Sequence, residues 1–365
     1  MHVDVVIIGG GLSGLHAAYQ CQKRHIQYAL LEARNRFGGR ILSFNGSNVY
    51  QADLAAFDLG PSWFWPEQQR MHALLKELGM DNEKFFHNSQ GVGVYEDAHG
   101  YVQRGVDGIS MSGAYRLKGG IRQLMKKLHE SLSSDNVLCN AAVCNIKYCS
   151  DKLTTTYVVN NVENQLVSNH VILTLPPRVA LAHIHFEPCF SEERKKQLLD
   201  IVTWMAGHAK LVCVYDQPFW RQQGMSGDVI SHRGPLQEIH DASYEAGSLY
   251  ALFGFVGVPP AHRRNRQEEL KKMSVEQLGR LFGEQALNPV AVYLQDWAQE
   301  QYTSTELDQE LQRFHPLNNI GDINEPSWNH RLIWSGSEAA DYRGSNNGFL
   351  EGALEASMQA VNLVE

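Results

Sequence analysis

Residues 3–8, Val-Asp-Val-Val-Ile-Ile, are almost continuously apolar and predict a buried strand. Three glycines follow at Gly9, Gly10 and Gly11, after which "GLHAAYQCQKR" has the period of a helix and "YALLEA" reads as a second buried strand. That is a βαβ unit of about thirty residues. Further on, an amphipathic helix is expected from about Pro66, with Met71, Leu74, Leu75 and Leu78 on one stripe, and another in "GGIRQLMKKLHESL". The stretch 81–115 is glycine-rich and weakly periodic. Three strand-like pieces, "NVLCNAAVCNIKYC", "LTTTYVVNN" and "HVILTLPP", come next, the last stopped by Pro176 and Pro177. "HAKLVCVYD" and "SLYALFGFVG" read as strands of a separate sheet, followed by a long helix from about Gln267 to Phe282. The chain closes with a strand "RLIWSGS", a loop rich in Gly, Ser and Asn, and a helix from about Phe349. The alternation predicts an α/β fold: a Rossmann-type domain interrupted by a mixed α+β domain.

Length supports two domains, because a chain of 365 residues exceeds the roughly 250–300 at which single cores stop growing. The expected division is 1–78, 116–185 and 320–365 for the nucleotide domain, with 79–115 and 186–319 for the other. A net charge of -8 excludes an ordinary nucleic-acid binder, which would carry a basic face. Six cysteines, Cys21, Cys139, Cys144, Cys149, Cys189 and Cys213, lack the spacing of a disulfide framework or zinc site and read as reduced and buried. His183 and His185 would share one side of a strand, but no third ligand accompanies them, and no metal is expected. No charged leader precedes Val5 and no apolar run approaches about 18 residues, which reads as a cytoplasmic protein without a membrane anchor.

Gly9, Gly11 and Gly14 form G-x-G-x-x-G between the strand and the helix. The first glycine permits a tight turn, the second lets a pyrophosphate approach the backbone, and the third allows close packing of helix on sheet. Glu32, at the end of the second strand, is placed to accept from ribose hydroxyls and disfavours a 2′-phosphate. In "EARNRFGGR", Arg34, Arg36 and Arg40 surround Gly38 and Gly39, which suits a second phosphate or a ring edge. These features imply a dinucleotide without choosing between FAD and NAD.

"LLEARNRFGGR" resembles the fingerprint of the flavin-containing amine oxidases, the family of monoamine and polyamine oxidases. Further matches run in family order: "DLGPSWFWP", "LKGGIRQL", "LTLPP", "AKLVCVYDQPFW", "DWAQEQY" and "SGSEAADYRGSNNGFLEGALEAS". The resemblance implies FAD held by Ser13, Glu32, Arg34 and Arg40, with Gly39, Gly60 and Pro61 passing close to it, Val143 beside the adenine, and Glu338 accepting from ribityl or phosphate-linked groups. Gly348, Phe349 and Leu350 would open the last helix, its positive end toward the N1–C2=O locus of the flavin. Lys210 would hold a water near flavin N5 and assist the oxygen reaction, Trp297 would pack near the ring, and Phe349 would form one wall of an aromatic substrate cage. Those three are the expected catalytic residues.

Departures from the family pattern carry expectations too. "QYTSTELDQE" lacks the cysteine through which many relatives attach FAD, so noncovalent FAD is expected. The other cage wall falls on Leu307 or Tyr302. The segment from Gly79 to Tyr115 is shorter than the insertion of larger relatives, which implies a more open pocket, and Trp63, Phe64 and Trp65 are candidates for its mouth. The implied activity is oxidation of an amine to an imine and then a carbonyl compound, with O2 as acceptor and hydrogen peroxide as product. The alternatives are a flavin desaturase or protoporphyrinogen-type oxidase, a flavoprotein without turnover, and an NAD-linked dehydrogenase.

Overall fold

The computed structural model describes residues 2–45, 56–106, 111–244, 249–312, 314–341 and 346–364. Part of the closing loop, 342–345, and the first residue of the expected strand at 248 lie outside these.

One sheet is built around the strand His2–Ile8, with Tyr28–Leu31 and then Val137–Leu138 on one side and Val162–Leu173 and then Leu332–Trp334 on the other. All of these neighbours are parallel. The connection reverses direction across the sheet at His2–Ile8, and a crevice therefore opens beyond the carboxyl ends of the central strands. The twelve-residue strand Val162–Leu173 serves two structures. Its first half, with alternating burial, pairs antiparallel to Lys152–Val159 and so joins the meander with Ala142–Cys149; its end, "VIL", is buried on both faces between Ile8 and Trp334. The single strand expected over "NVLCNAAVCNIKYC" is two, Val137–Leu138 and Ala142–Cys149. Between them Asn140 has φ 55°, a left-handed turn that asparagine tolerates and that breaks the pleat.

Two helices share one face of this sheet, Leu12–Lys23 and Leu350–Asn362, and Leu15, Ala18, Leu354 and Ala360 lie in one core with the sheet. His16 Nδ1 lies 2.6 Å from Ser357 Oγ across the pair, and burial lowers its pKa to about 4, which keeps the imidazole neutral. The helix expected from Pro66 runs Gln69–Glu77. It begins where the buried Glu351 carboxylate accepts from the Arg70 and Met71 amides at 2.9 Å each, compensating the unpaired donors of its first turn.

Among the described residues the second sheet has seven strands, in the order Ala291–Asp296, Ala209–Tyr215, Tyr250–Val256, Leu236–Asp241, Met225–Ser231, Val92–Glu96 and Val102–Val106. The last two explain the weak periodicity of 81–115: Val102–Val106 is an edge strand with no fully buried position. The helix Gln267–Phe282 packs on this sheet through Leu270, Leu278 and Leu281.

Arg263, 1% exposed, donates twice to Asp296, at 2.6 and 2.9 Å, and also to the Val258 and Gly207 carbonyls. Asp296 in turn accepts from the Ala298 amide and starts the turn that carries Trp297. Asp296→Ala strands a buried guanidinium and is expected to cost about 3–5 kcal/mol, read as a lower midpoint in denaturant unfolding.

Two expectations need correction. Of the six cysteines expected to be buried, only Cys21 and Cys213 are; Cys139 and Cys144 are partly buried, and Cys149 and Cys189 are exposed, because the outer meander and the loop after it face water. His183 and His185 do not share a strand: His183 ends the helix Pro177–His183 and His185 begins the strand His185–Glu187.

Candidate functional site

The crevice continues into a cavity of about 1260 Å³ that runs from the glycine turn to the second sheet. Single small ligands usually occupy about 300–1,000 Å³, so there is room for a dinucleotide and a substrate. Of the residues expected at the site, Gly9, Gly11, Ser13, Glu32, Arg34, Gly39, Arg40, Gly60, Pro61, Lys210, Trp297, Gly348, Phe349 and Leu350 all line it.

The three glycines of the turn differ in their surroundings. Gly9 has φ 103°, a region that favours glycine. A Cβ on Gly14 would fall 1.8 Å from the Gly9 carbonyl oxygen, so helix and strand meet only without a side chain there. Gly11 differs from both: its φ is -75°, open to any residue, and a Cβ would meet no protein atom within 4 Å. It points at open cavity, which is what a pyrophosphate lying against the backbone requires.

Around that turn the polar groups are fixed by short bonds. Glu32, 3% exposed, accepts from the Gly10 amide at 2.6 Å and the Arg34 amide at 2.8 Å, which aims its carboxylate along the cavity edge. Ser13 Oγ lies 2.8 Å from Ser335 Oγ and accepts from the Gly336 amide, tying the first helix to the last strand. Arg40 Nη1 sits 2.6 Å from Glu338 Oε1, and its Nη2 donates to Glu338 Oε2 and Ser337 Oγ at 3.0 Å each. Glu338 is therefore not on the cavity wall; it orients Arg40. Arg34 reaches Glu300 and Thr303 and stacks over Tyr302 at 5.4 Å. Arg36, half-buried, donates to the Gly39 carbonyl.

Val143 is also absent from the wall. It faces the core with Ile146 and Tyr157, and the backbone of Asn140 and Ala141 runs beside Glu32 and Arg34 instead. The reason is the turn at Asn140, which displaces the strand by the residues that form it.

At the far end, Lys210 is 3% exposed on the strand Ala209–Tyr215. Its Nζ donates to the Gly60 carbonyl at 3.0 Å and to Ser62 Oγ at 2.6 Å, and lies 3.8 Å from the Phe253 ring centroid. Burial pushes its pKa down to about 7, with Asp58 opposing the shift and Arg116 adding to it. Gly60 is held so closely that a Cβ would come 2.0 Å from the Arg40 carbonyl oxygen. Trp297 Nε1 donates to the Leu59 carbonyl at 3.1 Å and fixes the indole at the same junction. His208 lines the cavity, and burial lowers its pKa to about 4.

Phe349 lines the cavity as expected, but the position expected for the other wall does not lie opposite it. Leu307 is 55% exposed and off the cavity, and Tyr302 lines it beside Arg34, at the nucleotide arm. The ring that faces Phe349 is His315, parallel within 5° at a centroid distance of 4.8 Å, with Trp204 edge-on to His315 at 5.1 Å. His315 lies in "RFHPLNN", which carries no motif or period that could have singled it out. Trp63 and Trp65 line the cavity, whereas Phe64 is fully buried in the core. Gln237 and Glu238 also line the cavity and were not expected there; they sit on a strand, Leu236–Asp241, whose polar residues Gln237, Glu238, His240 and Asp241 give no clean alternation.

The family model for flavin containing amine oxidoreductases matches residues 94–364, and that for an NAD(P)-binding Rossmann-like domain matches residues 7–78. The chain is similar to a probable flavin-containing monoamine oxidase A of Dictyostelium discoideum, 24% identical over 457 aligned positions covering 98% of this chain and 96% of the relative. It is also similar to the putrescine oxidase of Kocuria rosea, 23% identical with 82% and 83% covered. The 457 positions exceed the 365 residues here, so the first relative carries segments that this chain lacks. Among solved structures, putrescine oxidase bound to putrescine superposes with a TM-score of 0.82 at 21% identity, covering 99% of this chain and 98% of that one. Cyclohexylamine oxidase from Brevibacterium oxydans gives 0.78 at 17% identity, with 99% and 98% covered; these two likenesses bear on the fold. With the larger family model spanning more than half of its length, the chain belongs to the flavin-containing amine oxidoreductases and is an FAD-dependent oxidoreductase.

Proposed function

We propose that the protein oxidises an amine at the carbon bearing nitrogen, giving an imine that hydrolyses to a carbonyl compound, and that O2 is the acceptor and hydrogen peroxide the product. The reading rests most on Lys210, a buried amine tied to Gly60 and Ser62 where the nucleotide arm meets the second sheet. It assigns 1–78, 116–185 and 320–365 to the FAD domain and 79–115 and 186–319 to the substrate domain.

FAD, when bound, supplies the sink for the two electrons and passes them to oxygen. Glu32 would hold the ribose, the Gly11 backbone and Arg40 the pyrophosphate, and the start of the helix Leu350–Asn362 the electron-rich edge of the ring. Noncovalent attachment is proposed because no cysteine lies in 297–319. Lys210, with its pKa at about 7, takes or gives a proton at neutral pH without a full buried charge. Trp204, Phe255 and Phe349 line the substrate end, where they exclude water. Among the described residues no helix is long and apolar enough to cross a membrane.

The test is the visible spectrum of the purified protein followed by anaerobic titration with an amine panel. Expected are a flavin spectrum, release of the flavin on denaturation, bleaching by at least one amine, and one peroxide per turnover on admitting oxygen. Bleaching by an alkene precursor and by no amine would instead identify a desaturase, and bound flavin that nothing bleaches a protein without turnover.

A further inference from the structure

Behind Lys210 lies a buried set of charges that the flavin site does not explain. Asp58, 3% exposed, ends the strand Ala56–Asp58, just before Gly60 and Ser62, the two residues that Lys210 holds. Its Oδ1 accepts from Ser43 Oγ at 2.5 Å and from the Ile121 amide at 3.0 Å, whereas its Oδ2 is buried without a hydrogen-bond partner. Arg116, 1% exposed, donates through Nη1 to the Ser243 carbonyl at 3.0 Å, and its Cζ lies 4.9 Å from the Tyr244 ring centroid. Its Nε and Nη2 are buried without partners as well. Phe57, Tyr244 and Phe253 lie in one core that joins these groups to Lys210.

Charged atoms left without a bond inside a protein are costly, and only the field of an opposite charge close by offsets that cost. Arg116 keeps its proton at any ordinary pH. Asp58 is therefore a single carboxylate that serves two basic groups: it favours the ammonium form of Lys210, and Arg116 opposes it.

The remaining neighbours of Lys210 are uncharged or already paired. Gln295 and Phe255 stand beside it on the adjoining strands. Glu238, one strand further, is bound to His240 at 2.7 Å, and His240 is bound in turn to Asp228 at 2.7 Å. His208, two residues before Lys210, is kept neutral by burial, and Arg263 is paired with Asp296.

We propose that Asp58 is a positioning residue for the oxygen half-reaction: its carboxylate holds the ammonium form of Lys210 against the opposing charge of Arg116, so that a proton is at hand where O2 is reduced. This rests on the reading above, in which Lys210 serves the reaction with oxygen. Forming hydrogen peroxide takes two electrons and one proton from the reduced flavin anion and needs one proton more. The Lys210 ammonium gives that proton and becomes the neutral amine, and water restores it.

The experiment is stopped-flow reoxidation of the amine-reduced holoenzyme as a function of pH, with anaerobic reduction and the unfolding midpoint measured alongside. Asp58→Asn keeps an oxygen for Ser43 and Ile121 and removes only the charge. Losing an opposite charge at close range moves a titration by about one pH unit or more. The inflection expected near pH 7 should fall by that much, and the oxygen rate above it about tenfold for each unit. Arg116→Gln should move the inflection upward instead, and Arg116→Lys, which keeps the charge, should leave it in place. Damage to packing would not send Asp58→Asn and Arg116→Gln in opposite directions. An unmoved inflection in Asp58→Asn, or a shift of the same sign in Arg116→Gln, overturns this assignment alone. If Asp58→Asn does not hold flavin, the two Arg116 variants decide by the same criterion. A wild-type oxygen step without an inflection overturns the role of Lys210 in that reading, and this assignment with it.

Discussion

Lys210→Met is expected to slow reoxidation of the enzyme by oxygen about 10²- to 10³-fold, the scale of losing one preorganised polar group from a site that excludes water, while anaerobic reduction by substrate proceeds at a rate close to wild type. Methionine keeps the length of the side chain and its packing over Phe253 but cannot donate to Gly60 or Ser62. Mixing reduced enzyme with air-saturated buffer in a stopped-flow instrument gives the first rate, and anaerobic mixing with amine gives the second. Equal slowing of both halves would show that Lys210 only supports the pocket. In the wild type the oxygen step is expected to titrate near pH 7, where the buried ammonium loses its proton, and the variant should lose that inflection.

The same displacement makes folding depend on pH. An unfolded lysine keeps its proton up to the ordinary lysine range, whereas the folded one releases it at about 7. Between those values the unfolded chain binds more protons, so stability from this group rises with pH. Unfolding midpoints of wild type and variant should converge as the pH is raised above 7.

Gly14→Ala and Gly11→Ala, which add the same methyl group three residues apart, are expected to fail in different ways. At Gly14 the new carbon would sit 1.8 Å from the Gly9 carbonyl oxygen and 2.9 Å from Thr174 Oγ1. The obstructing atom is backbone of the same turn and cannot rotate away, so the first helix must lift from the sheet. A loss of 3 kcal/mol or more, at the upper end of about 1–3 kcal/mol for ordinary overpacking, and a chain without flavin are expected. At Gly11 the backbone conformation suits alanine and no protein atom lies within 4 Å. That variant should therefore fold with a thermal midpoint near that of flavin-free wild type, yet lose about 10²-fold or more in FAD affinity because the methyl occupies the phosphate position. Calorimetry of the flavin-free proteins and fluorescence titration with FAD measure the two effects. A Gly11→Ala protein that binds FAD normally would contradict a pyrophosphate at this turn.

What could be read along the chain was local in origin. A strand, a glycine turn and a helix announce themselves within twenty residues, because the steric limits on Gly9 and Gly14 act between atoms a few bonds apart. The helix Gln267–Phe282 was likewise visible from its own period. Lys210 and Phe349 were singled out only by resemblance, and on chemistry alone a lysine in an apolar strand would read as one that reaches solvent.

Glu238, His240, Asp228 and His315 were missed because their meaning is held in pairings between distant segments. Asp228 and His240 become neighbours only when two strands take one register, and His315 stacks on Phe349 only through tertiary packing. Val143 faces the core rather than the cavity because the left-handed Asn140 before its strand sets which of its residues turn inward. The sequence by itself determined the glycine turn of the first βαβ unit, since that turn follows from local sterics and hydrogen bonding. Only the tertiary structure decided which groups line the cavity, since burial and charge compensation depend on all the chain segments that meet there.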